Sequence, residues 1–164
     1  MDSKTAARIT RQGPRIEDDY LVRGAGRFVA DHTEPRQTYA AFVRSPHAFA
    51  RIVSVDIAEA KRARSVVAVL TAQDMAAAGV GNVGRHAPLS GRGGKKLIMP
   101  IRPALARDRV MHVGEPVAMV IAETASAAQD AAERVVVEYD ALKAVVALRD
   151  TIKPGAPQLW PEAP

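Results

Sequence analysis

One segment limits what this chain can fold into more than any other. Residues 79–103 hold six of the eleven glycines and three of the eleven prolines. Glycine adds backbone freedom and proline removes a ladder donor, so no regular element can run through this stretch. The chain must fold as ordered halves on either side of a long surface loop. Most of the excess charge lies in and just beyond that loop. Residues 85–109 carry seven basic side chains (Arg85, Arg92, Lys95, Lys96, Arg102, Arg107, Arg109) against one acid, Asp108, in a chain whose net charge is +5. The basicity is local.

The flanking stretches mix strand and helix signals. Residues 39–44 read as a strand ended by Ser45-Pro46. In 51–57 strict alternation predicts Val53, Val55 and Ile57 on one face. Asp56 and Glu59 have capping-box spacing for a short helix to about Ala63, and Thr71 with Asp74 repeats it for a helix closed by Gly79. Between them, 65–70 is a β-branched strand. Gly24-Ala25-Gly26 is read as a turn into a short strand reaching Asp31. Residues 109–113 and 117–122 are expected to be two strands around a tight Gly114-Glu115-Pro116 connection. Thr124 or Ser126 caps a helix to about Arg134 that buries Ala127, Ala128, Ala131 and Ala132. A strand at 135–139 and a short helix near 150–153 follow. Hairpin-like links among mixed elements predict an α+β fold with an antiparallel-rich sheet. A flexible arm (1–14), one domain (15–152, with the loop 79–103) and an extended exit (153–164) complete the expected organisation.

Composition excludes several classes. With 164 residues, one packed domain is expected. Aromatics make up 4%, so Val, Ile, Leu and Ala must fill the core. There is no cysteine, which removes disulfides, thiolate metal sites and cysteine nucleophiles. The polar start has no apolar signal segment, and the apolar run 116–122 is too short to span a bilayer. A soluble cytoplasmic chain is the expectation, with no membrane contact.

No autonomous active site can be read from the residues. Gly24-Ala25-Gly26 lacks the third glycine and the following helix of a dinucleotide fingerprint, and Gly91 to Lys96 lacks the spacing of a phosphate loop. His32, His47, His86 and His112 have no metal-ligand spacing. No His or Lys partner that would tune Glu115 is expected nearby, so a turn or interface role is favoured over general base. Glu17-Asp18-Asp19 reads as a solvated helix start. The basic loop has no aromatic residue for base stacking, so nucleic acid is not expected as a partner. Catalytic, cofactor-binding and metal-ligating residues are therefore expected to be none. Partner docking is assigned to Ser45, Pro46 and His47, to Gly114, Glu115 and Pro116, and to Arg92, Lys95 and Lys96 in the loop.

An ordered series of motifs adds a family. Arg15-Ile16-Glu17-Asp18, Gly26-Arg27-Phe28 and Asp31 come first. Arg44-Ser45-Pro46-His47-Ala48, Arg51-Ile52 and Val55-Asp56 follow, then Ala68-Val69-Leu70-Thr71 and Arg102-Pro103-Ala104-Leu105. Val113-Gly114-Glu115-Pro116-Val117-Ala118, Val137-Glu138-Tyr139 and Pro154-Gly155-Ala156-Pro157 close the run. The series resembles the N-terminal α/β-hammerhead domain of molybdopterin-binding large subunits in the xanthine dehydrogenase, aldehyde oxidase and carbon monoxide dehydrogenase family. Arg64-Ser65 stands where that family usually has Pro-Gly, and Lys143 where it has Pro; both are turn positions. The resemblance implies a scaffold portion of a molybdenum hydroxylase, not catalytic alone. It implies molybdopterin, iron–sulfur clusters and FAD on partner chains or further domains, so the partners would be a molybdopterin-binding polypeptide and an iron–sulfur subunit. An isolated chain would expose apolar surface and self-associate. The alternative is a stand-alone interaction module or an orphan fragment without a catalytic role.

Overall fold

The computed structural model describes residues 15–84, 91–94 and 100–160. The chain divides into two units between Gln37 and Thr38. The described part of the first unit holds helix α1 (Asp18–Val22) and a 3-10 turn at Val29–Asp31. The strand expected to reach Asp31 is not formed. Instead the Asp31 carboxylate accepts the Phe28 N–H at 2.8 Å, a local bond that closes the turn. None of residues 15–37 is buried.

The second unit contains β1 (Tyr39–Arg44), β2 (Ala50–Asp56), α2 (Ala58–Arg62), β3 (Val66–Thr71), α3 (Ala72–Ala77), β4 (Arg109–Val110), β5 (Pro116–Ala122), α4 (Ala125–Ala132), β6 (Val136–Ala141) and α5 (Leu148–Thr151). The strands form two three-stranded sheets, β1-β5-β3 and β4-β2-β6, and every pairing is antiparallel. The α+β expectation is met. Among the described residues no helix is long and apolar enough to cross a membrane.

Local chemistry sets the element ends. Both the hydroxyl and the N–H of Thr71 donate to Asp74 at 2.7 Å, starting α3 with the expected capping box. The helix ends at Gly79 (φ 70°), where Val80 N–H reaches Met75 C=O at 2.9 Å and Gly79 N–H reaches Ala76 C=O at 3.0 Å. That pair of bonds is the glycine-dependent C-terminal stop. Thr124 caps α4 by accepting the Ala127 N–H at 3.1 Å. Asp56 caps α2 differently from the expected box: its carboxylate takes the Ala58 N–H at 2.9 Å, while Glu59 pairs with Arg62 at 2.6 Å.

Two connected aliphatic clusters form the core. The first packs Val69, Ala118 and Val120 of one sheet against Ala60, Ala131 and Val135. The second holds Ala50, Ala106, Val110 and Val117. Val55 and Val137 touch both clusters. Ala128 and Ala131 are essentially inaccessible, and their small side chains let α4 lie close on β1 and β5.

Two strand expectations and one helix boundary need correction. In β2 the register slips between Ile52 and Ser54, so Ile52 and Val55 face the core while Val53 is 61% exposed. One extra residue in a ladder reverses the alternation beyond it. Residues 109–113 and 117–122 do not form a hairpin: β4 is two residues long and pairs with β2, whereas β5 lies in the other sheet. The final helix is α5 at Leu148–Thr151, two residues earlier than predicted. Of the loop 79–103, the described residues form neither strand nor α-helix, and Val83 N–H to Arg102 C=O (2.8 Å) ties its ends together. Lys95 and Lys96, the arm 1–14 and residues 161–164 lie outside the described residues.

Candidate docking site

The fold brings together two of the three segments assigned to docking. Beyond the irregularity at Val43 and Arg44, pairing between β1 and β5 continues into the turns: Ser45 N–H donates to Glu115 C=O at 2.9 Å, and Gly114 N–H donates to Ser45 C=O at 2.8 Å. Arg44 adds a bond from its guanidinium to Gly114 C=O at 2.8 Å while lying 5.4 Å over the Phe42 ring. Gly114 has φ 83°, a conformation that costs a residue with a Cβ about 1–2 kcal/mol.

The Ser45 and Glu115 side chains each have a structural task at this corner. Ser45, 2% exposed, accepts the His47 N–H at 3.0 Å through its hydroxyl, which donates in turn to His47 C=O at 3.3 Å. Pro46 is exposed and His47 half-buried, its ring 4.9 Å from that of Tyr139. The Tyr139 hydroxyl is buried without a hydrogen bond. Burial pushes its pKa above the ordinary 10.0, with the near but unbonded Ser45 hydroxyl pulling the other way. The Glu115 carboxylate accepts the Met111 N–H at 2.5 Å and lies 3.6 Å from His112 Nδ1. It is the clip of its own turn.

Next to this corner is a cleft of about 420 Å³. Glu115, Pro116 and His112 contribute to its wall, as do Arg102, Arg107, Arg109 and Trp160. The sequence had shown Arg107 and Arg109 only as part of a charge total, and Arg102 there and in a family motif. Trp160 had no readable role, because no local pattern says that an exit segment returns to the strands. Arg92, on an exposed 3-10 turn, is not among the residues lining this cleft.

Comparison with known proteins bears out the family that the ordered motifs resemble. A family model described as "Aldehyde oxidase and xanthine dehydrogenase, a/b hammerhead domain" matches residues 23–143. The chain belongs to this hammerhead family. The nicotine 6-hydroxylase large subunit of Paenarthrobacter nicotinovorans is 36% identical over 149 residues, which are 90% of this chain and 17% of that protein. The nicotinate dehydrogenase large molybdopterin subunit of Eubacterium barkeri is 29% identical across 88% of this chain and 31% of its own length. Among solved structures, quinoline 2-oxidoreductase from Pseudomonas putida 86 superimposes with a TM-score of 0.75 at 35% identity, across 86% of this chain and 17% of that one. The hammerhead chain thus spans a minor part of the large subunits it matches.

The hammerhead residues do not fit one of the redox groups the resemblance implies, an iron–sulfur cluster. An iron–sulfur cluster needs cysteine thiolates, and the chain has no cysteine. Among the described residues no three His, Asp or Glu side chains are grouped to hold a metal ion. The carboxylate at the corner, Glu115, is already committed to a backbone N–H.

Proposed function

We propose that this chain serves as the hammerhead scaffold of a molybdenum hydroxylase, docking on a polypeptide that holds the molybdopterin. The parent reaction would be an oxidative hydroxylation in which water supplies the oxygen. Its electrons would leave through iron–sulfur clusters and FAD held on other subunits. The observation that carries this reading is the family match over 23–143 in a chain whose site side chains bond to their own backbone. Pro46, His47 and the 114–116 turn form one corner and are proposed as part of the docking face.

Apolar exposure supports the same reading. Val146 is 88%, Leu148 83% and Ile152 85% exposed, on and beside the short helix α5, and a partner would cover them. Without a partner these side chains would drive self-association.

The test is affinity purification of the chain from its native host, with molybdenum and iron measured in the eluate. A larger polypeptide arriving with both metals is expected. A lone, metal-free chain overturns the proposal and leaves the orphan-fragment alternative.

A further inference from the structure

We propose that the cleft beside the Gly114 turn receives an acidic polypeptide segment that carries an apolar anchor residue. The proposal deepens the docking reading and rests on it. The cleft volume of about 420 Å³ suits a short peptide stretch or a few side chains. Its wall combines Pro103, Met111 and Trp160 with three guanidinium groups, those of Arg102, Arg107 and Arg109. All three arginines are exposed, and among the described residues none of them makes an ion pair.

Arg51 on β2, directly opposite Arg109 on β4, meets Asp140 of β6 on its other side and does not line the cleft, so the positive charge there is carried by Arg102, Arg107 and Arg109. Two features favour a polypeptide over nucleic acid. Asp108 and Glu115 also line the cleft and would repel a continuous phosphate backbone, and the lining has one aromatic side chain rather than a stacking series. Isolated carboxylates interleaved with an apolar side chain match this alternation of arginine and aliphatic surface.

Trp160 is the sole tryptophan of the chain, so its fluorescence reports directly on the cleft. The full-length chain would be titrated with a synthetic heptapeptide in which one Asp and one Glu flank a central leucine among Gly and Ser. The controls are the same peptide with Asn and Gln, free glutarate, and a single-stranded oligonucleotide. The expected result is a saturable change with the acidic peptide that weakens at least about tenfold in Arg107→Glu/Arg109→Glu and fades as salt rises. Arg107→Gln/Arg109→Gln, with the fold checked by circular dichroism, should weaken binding in the same direction. No saturable change, equal binding of the amide peptide, or binding indifferent to both double variants overturns the proposal. So does glutarate or the oligonucleotide binding as tightly as the peptide. If the chain still brings down a molybdenum-bearing polypeptide from its host after such a result, the docking reading stands and only the cleft assignment falls.

Discussion

Ser65 holds a backbone conformation that suits glycine and still keeps its turn. It has φ 63°, in the left-handed region. Its C=O accepts the Glu123 N–H at 2.9 Å, so the turn is tied to the end of β5 whatever the side chain. Ser65→Gly should stabilise the chain by about 1 kcal/mol, read as a higher urea midpoint with unchanged slope. Asp74 makes a pH-dependent contribution. The Thr71 hydroxyl, then the Thr71 N–H, hold its pKa below the ordinary 3.8. The folded state therefore binds fewer protons than the unfolded one, so this stability is full above 3.8 and is lost as pH falls through the lowered value. Asp74→Asn should flatten the acid limb of a stability–pH curve, measured by urea denaturation between neutral pH and the acid transition.

At the scale of elements, α4 is the tightest joint. Ala128 and Ala131 are 1% and 0% exposed, and the helix rests on β1 and β5 through them. Ala131→Leu would force α4 away from Val120 and should cost about 1–3 kcal/mol, seen as a lower thermal midpoint. Most elements were legible from local pattern: Tyr39–Arg44, the Thr71–Asp74 box, the Gly79 stop and the Thr124 cap need only near neighbours in the chain. The misses share a cause. The irregularity in β2 depends on β6, which lies some 80 residues away, and β4 leaves β5 because Val110 pairs with Ala50. Periodicity within one segment carries no information about its ladder partner.

For the whole molecule, among the described residues every buried one falls in the second unit, from Ser45 to Val135. A chain lacking residues 1–37 should therefore keep a cooperative urea transition, followed by circular dichroism; a non-cooperative slope would show that the core needs the first unit. The docking corner belongs to this scale too. Ser45 and Glu115 were each singled out for turn chemistry, yet their mutual bonds join residues 70 apart. The corner could be nominated residue by residue but not assembled.

The sequence by itself determined the caps, the stops, the aliphatic composition of the core, the absence of thiolate chemistry and the family, because each rests on residue identity or on spacing within a few positions. Only the tertiary structure decided the two-sheet division, the slip in β2, the bond from Ser45 N–H to Glu115 C=O and the gathering of three arginines with Trp160 around one cleft. Those features arise where distant segments meet, and which segments meet is set by burial of the shared apolar core rather than by any local preference.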